Sequence, residues 1–365
     1  MSNKTRYFVA VTGAILVVGL GTGMVASYMG LPVSVFTSAA GPEELEYVPA
    51  DAAVVAYANV RDVMNSQLRK RFQEMEPSQE HKNDFEEKTG LNFEQDIDTV
   101  VAAMMPKGNI ATNPEGAFLI LARGRFQAAR LEALALEHGA TIADYQGKRL
   151  ITHHNNVSNN NVSNNNVSNN NVPNNNVPNN TSNNSSNTSK HEDMAVGFVE
   201  ADLIAFGSVT SVKASIDARR ENRNVVSNIE MMRLVSELDN ANAWAVGRFD
   251  AIAGRTGLPT EIASQMPAIT WFSAAGHING GVSGVLKAET KDEASAQNMR
   301  DLLKGLLALA KMQAGSKPGM QQLADSLILS GDGKNVALSF SVPSEVLDVL
   351  EGLAKGRKGI GAAAH

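Results

Sequence analysis

Cysteine is absent from all 365 residues, so disulfides, thiolate metal ligands and a lipidated cysteine anchor are excluded. Aromatic residues are scarce at 5%, against 43% hydrophobic overall, so the core has to be built from aliphatic side chains. A basic surface is missing too. Beyond residue 42 there are 30 basic residues against 38 acidic ones, a net of −8. Phosphate binding needs a positive face, so nucleic acid is excluded as a partner. Finally, charge of either sign is lacking between Tyr7 and Pro42.

That last absence is itself a signal. A membrane span needs about 20 mostly apolar residues, and Phe8 to Met29 supplies them. Residues 1–42 therefore read as a cytoplasmic stub and a transmembrane anchor. Lys4 and Arg6 are the only charges before the run. A basic flank stays in the cytoplasm. The expected address is the bacterial cytoplasmic membrane, crossed once, with the large domain on the periplasmic or extracellular side. The rival reading is a signal peptide cleaved near Ser38-Ala39-Ala40. Gly19, Gly21 and Gly23 imitate a dinucleotide-binding loop but sit inside the apolar run, where glycines four apart suit close helix contact in lipid.

The rest divides at two composition shifts. Residues 43–228 form a first unit, interrupted at 155–190 by an asparagine-rich insert. Within it valine recurs every fifth residue, at Val157, Val162, Val167, Val172 and Val177. One valine in five buries too little surface to offset the entropy of ordering, so the insert is expected to be disordered low-complexity chain. Residues 229–355 form a second unit, and 356–365 a flexible tail. Each unit reads strand, helix, strand, strand, helix, hairpin, helix. Ile97 to Ala103 corresponds to Ile269 to Ala275, and Thr89-Gly90-Leu91 to Thr256-Gly257-Leu258. Thr290-Lys291-Asp292-Glu293 looks like a capping box opening an amphipathic helix with Met299, Leu302, Leu303, Leu306 and Ala310 on one face. The expected fold is α+β: duplicated antiparallel sheet units with helices packed on one face, preceded by one transmembrane helix.

Four stretches carry a family likeness. They are Tyr47-Val48-Pro49-Ala50-Asp51-Ala52, the segment from Thr89-Gly90-Leu91 to Asp96-Ile97-Asp98, Ala308-Leu309-Ala310-Lys311-Met312-Gln313, and Ser339-Phe340-Ser341-Val342-Pro343. Together they resemble uncharacterised bacterial proteins with a single N-terminal span and an exported domain. The resemblance implies location and a rough fold, and no catalytic residues.

The residues point to no catalytic apparatus and no cofactor. Gly281-Val282-Ser283-Gly284 lacks the spacing of a nucleophile elbow and falls in a strand. Gly331-Asp332-Gly333-Lys334 has the wrong spacing for a phosphate loop and reads as a turn. The metal candidates are His153 and His154 before the insert and His191 after it, beside Glu192 and Asp193. Imidazole and carboxylate suit zinc if the insert loops out and its ends meet. A polar hairpin rim is the favoured reading of these side chains. The expected function is a membrane-anchored, non-enzymatic structural or interaction protein with a protein partner. The alternatives are a binding protein for an apolar ligand, with Met231, Met232, Met299, Met312 and Met320 lining a plastic pocket, and a metal-dependent enzyme.

Overall fold

The computed structural model describes residues 41–66, 69, 86–106, 118–153, 193–238, 241–251, 268–278, 281–314 and 318–343. The expected membrane anchor up to residue 40, the insert, the closing helix expected in the second unit after Ser344, and the tail all lie outside the described residues. Among the described residues no helix is long and apolar enough to cross a membrane.

After a 3-10 turn at Glu43–Tyr47 come β1 (Val54–Asn59), α1 (Val60–Asn65), α2 (Phe93–Asp96), β2 (Ile97–Met104) and β3 (Phe118–Gly124). Then follow α3 (Ala128–Glu137), β4 (Thr141–Tyr145), β5 (Lys148–His153), β6 (Met194–Phe198), β7 (Leu203–Ser208) and α4 (Val209–Arg220). The second half holds α5 (Ile229–Ser236), β8 (Ala243–Arg248), β9 (Ile269–Ile278), β10 (Gly281–Thr290), α6 (Glu293–Ala314), α7 (Pro318–Ser326), β11 (Ile328–Ser330) and β12 (Asn335–Pro343). The fold is α+β, as expected.

All these strands join one 12-stranded sheet in the order β11-β12-β10-β9-β8-β1-β2-β3-β7-β6-β5-β4. The strands of the two units lie on opposite sides of the β1–β8 ladder. That ladder is antiparallel and five residue pairs long, from Val54↔Gly247 to Ala58↔Ala243.

Local chemistry explains most boundaries. Gln146 and Gly147 both have positive φ, at 56° and 75°. A two-residue hairpin turn of this kind matches the twist of the strands it joins, here β4 and β5. Ser208 accepts from Ser211 N at 3.1 Å and caps α4. Asn59 and Asn228 cap α1 and α5 in the same way, accepting at 3.0 and 3.1 Å. The expected capping box is corrected. Thr290 remains in β10, where it bonds to Lys334 O, and Asp292 accepts from Ser295 N at 2.8 Å. The strand outlasts the pattern by two residues, so the cap moves from Thr290 to Asp292.

Helices packed on one face is also corrected: both faces are covered. Alternate residues of a strand point to opposite sides. Val55, Val101, Leu119, Leu121, Leu203 and Ala205 point to one side, under Val212 and Ile216 of α4 and Met231 and Leu234 of α5. Val100, Ile120, Ala122, Ile204 and Phe206 point to the other, with Val60 of α1 and Leu91. Helix α6 packs on Ala288 and Val336. Following the register through Leu286, Ala274, Ala245, Ala56, Ala102 and Ile120 puts α6 on the same side as Val60. The cause is in the strands: β2 and β3 are apolar at both parities, so either side left bare would expose a run of aliphatic residues.

Helix α4 sits close to the sheet because its inner face is small. Ser211 and Ser215 are buried, and a Cβ added to Gly207 of β7 would come 3.3 Å from Ser211 Cβ. Leu303 packs against the α6 cluster, but Leu306, expected on the same buried face, is 40% exposed. A fully buried leucine such as Leu121 and the half-open Leu306 therefore separate in energy. Leu121→Ala, at a fully buried position, should cost about 2–5 kcal/mol in denaturant unfolding. Leu306→Ala should stay within about 1 kcal/mol, because a partly wet side chain leaves no cavity. Equal losses at both positions would mean that Leu306 is covered.

Candidate functional site

The metal candidates come first. β5 and β6 pair as neighbours, with His153 opposite Met194, so the two strands that flank the insert do meet. His154 and His191 lie outside the described residues. Among the described residues no group of three or more His, Asp or Glu is placed to hold a metal. The methionines do not converge either. Met231 belongs to the core on one side of the sheet, Met299 packs on the other, and Met312 is 74% exposed.

Gly284 shows why Ser283 stands in a plain strand. A Cβ there would meet Ala275 O at 2.7 Å and the Phe340 ring at 2.8 Å, so glycine permits the close approach of neighbouring strands. The 331–333 segment is a turn, with Gly331 and Gly333 at φ 108° and 51°.

The densest polar constellation was not anticipated. It centres on Arg123, which follows Leu119 and Leu121 on the α4 side of β3. Its Nε donates to Glu44 Oε1 at 2.7 Å. Its Nη1 donates to Glu200 Oε2 at 3.1 Å and to Asp202 Oδ2 at 2.9 Å. Glu44 is buried at 3% exposure and accepts a second bond, from Thr99 Oγ1 at 2.9 Å. Tyr47 Oη donates to Glu200 Oε1 at 2.8 Å, and the Arg219 guanidinium stands over the Tyr47 ring at 5.8 Å. Arg219 also pairs with Glu46. The network therefore ties the 3-10 turn at Glu43–Tyr47 to β2, β3, the β6–β7 turn and α4.

Its electrostatics are those of a clamp. Burial alone would lower the Arg123 pKa, but the hydrogen bonds it donates to Glu44 and Asp202 outweigh it and hold the guanidinium charged. Burial first, then the bond to Glu200, pushes the Tyr47 hydroxyl up. Nearby, Tyr57 stacks on Trp244 with ring centroids 5.5 Å apart, and burial pushes its hydroxyl up to about 12. No group here is an exposed nucleophile or a free base. The arrangement positions a chain segment.

The sequence carried one clue to it. The strand Phe118–Gly124 reads FLILARG, and its alternation puts an arginine in line with two buried leucines. A charge at an inward strand position demands a partner. The partners, at 44, 200 and 202, are too far apart in sequence to be recognised from spacing.

Two outcomes follow. Arg123→Met should destabilise by about 3–5 kcal/mol, because Glu44 is left buried without its counter-ion. Adding Glu44→Gln should recover part of the loss; strict additivity of the two would show that they do not interact. The second concerns alkali. A tyrosine whose folded pKa is raised contributes stability that is fully present below about pH 10 and lost as pH rises toward about 12. Tyr57→Phe should flatten that decline in a pH series of denaturant midpoints.

No family model matches the chain, and no curated protein does. Among solved structures it is similar to one described as crystal form I of TP0453, at 10% identity with a TM-score of 0.41, over 86% of this chain and 98% of that one.

Proposed function

We propose that the chain is a membrane-anchored interaction protein of the bacterial cell envelope, crossing the cytoplasmic membrane once and holding its sheet domain outside. The uncharged run from Tyr7 to Pro42 after Lys4 and Arg6 supports the anchor and its direction. The observation that carries the reading is the Arg123 clamp. It grips the first residues after that run, at Glu43, Glu44 and Tyr47, so a pull or tilt at the membrane passes straight into the sheet. A flexible tether would need no such fixing.

We further infer a duplicated architecture. From the β1–β8 seam, β1, β2 and β3 are followed by α3 and by hairpins that return β7 to the edge of β3. In the same way β8, β9 and β10 are followed by α6 and by a hairpin that returns β12 to the edge of β10. The segment preceding each set is held by charge to its third strand. In the first half Glu44 meets Arg123 of β3 at 2.7 Å, and in the second Arg233 of α5 meets Glu289 of β10 at 2.7 Å. The polarity is reversed while the place is kept.

An apolar-ligand carrier is the second reading. Leu286 is 47% exposed in the middle of β10, on the side of the sheet that α6 covers, where Leu306 and Leu309 are also open. A fluorescent fatty acid displaced by Leu286→Arg would favour this over the interaction protein.

Membrane association is tested by alkaline carbonate extraction. The full chain should stay with the membrane pellet, and a variant lacking residues 8–29 should be released. Protease added to intact spheroplasts should digest the domain after residue 43. A domain protected until the membrane is opened would reverse the orientation.

A further inference from the structure

On the α4 side the two halves of the sheet are finished differently. In the first half β7 turns Leu203, Ala205 and Gly207 to this side, and all three are buried. β7 runs directly into α4, which folds back over the strands. A Cβ on Gly197 of β6 would lie 3.0 Å from the Val212 side chain. In the second half the register carries the same side through Val246, Ser273, Lys287 and Ala337. β12 therefore turns Ala337, Ser339 and Ser341 to it, and β11 turns Ile328 and Ser330.

This outer face is open. Ser330 and Ser341 are exposed, Ile328 is 61% exposed, and Ala337, Ser339 and Val285 of β10 are half-buried. Helix α5 is tied to this side as far out as β10, where Arg233 meets Glu289 at 2.7 Å and Glu237 meets Lys287 at 3.1 Å. Beyond β10 the side chains are small, so a helix can come close, as α4 does over Ala205 and Gly207. Ser339 Oγ already donates to Ile328 O at 3.4 Å, so covering it would leave no hydroxyl without a partner.

The nearest candidate to cover the face is the chain itself. β12 ends at Pro343, opposite Gly281, and Ser341 stands two residues before that end. The residues that follow, outside the described ones, are Ser344-Glu345-Val346-Leu347-Asp348-Val349-Leu350-Glu351-Gly352-Leu353. Serine is a favoured N-cap. Val346, Val349, Leu350 and Leu353 recur at the spacing of an apolar helix face, with Asp348 and Glu351 on the other side. A helix from Ser344 to Leu353 would be about 15 Å long. That is enough to return from Pro343 over Ser341 and Ser339 to Ile328 on the neighbouring strand. Its place would be that of α4, since β12 borders β10 as β7 borders β3.

We infer that residues 344–353 fold back as a helix on the α4 side of β12 and β11, closing the second half where α4 closes the first. The choice of side rests on the duplicated architecture; the contact itself does not. Because the chain has no cysteine, pairs of cysteines can be placed at will. Two variants of the full chain in detergent carry Leu350→Cys, one with Ser339→Cys and one with Leu338→Cys. Positions 338 and 339 are adjacent and face opposite sides of the sheet. Each variant is treated with a short bis-thiosulfonate cross-linker, and the joined peptides are identified by mass after digestion.

Position 350 should be joined to 339 within one chain, and not to 338. In a second measurement Ser339→Cys alone should react with a maleimide about tenfold more slowly than the same chain carrying Leu350→Asp, because a docked helix must open before the thiol is reached. Linkage to 338 in place of 339 would overturn both the docking and the equivalence of the two halves that chose the side. Linkage to neither, with equal labelling rates in the two chains, would overturn the docking and leave the duplicated strand order standing. Linkage of 339 to 350 only between two chains would mean that a second copy covers the face, and would overturn the docking too.

Discussion

Five residue pairs carry the architecture. The β1–β8 ladder is where the strands of the first half meet those of the second, and breaking it would leave a seven-stranded and a five-stranded sheet, each with a bare edge. Its two sides differ. One side presents Val55, Tyr57, Trp244 and Val246, with the stacked Tyr57 and Trp244 rings bridging the seam. The other presents Ala56, Ala58, Ala243 and Ala245, with Val54 opposite Gly247 at one end. A cross-strand aromatic pair adds about 0.5–1.5 kcal/mol beyond its buried area. Alanine on the reverse side adds little packing but lets whatever covers it come close. The seam is thus held from one side, the side that also carries α4, α5 and the Arg123 clamp.

That asymmetry explains why the clamp is built from charge. The 3-10 turn at Glu43–Tyr47 offers Leu45 and Tyr47 to the core, too little apolar surface to fix five residues by burial alone. Glu44 supplies a directional contact, since a guanidinium can satisfy several carboxylate oxygens at defined angles. A buried ion pair contributes little net stability, because desolvation offsets much of the attraction. Its effect is to specify one position for the turn. Arg233 serves α5 in the same manner from a more exposed site, bonding to Glu230, Glu237 and Glu289.

Strand positions and hairpins were legible because their signals are local. The β4–β5 hairpin follows the pattern residue for residue, since Gln146-Gly147 fixes the turn and alternation fixes the strands. Helix α7 was missed because Pro318-Gly319 reads as a break, although proline is well tolerated in the first turn of a helix. The single continuous sheet was not legible either. β1 and β8 lie nearly two hundred residues apart, and no local pattern marks one as the partner of the other. The same distance hid the Arg123 network. Helices on one face would have left β2 and β3 half bare: VVAA and LILA show no polar alternation, which is the mark of a strand covered twice.

In the proposed orientation these features act together. A single span fixes a domain to the membrane at one point and leaves it free to swivel about the bilayer normal and to tilt. The clamp removes play between the span and the sheet. The face offered to a partner then follows from where the Glu43–Tyr47 turn is fixed against β2, β3 and α4, and not from any bond to that partner.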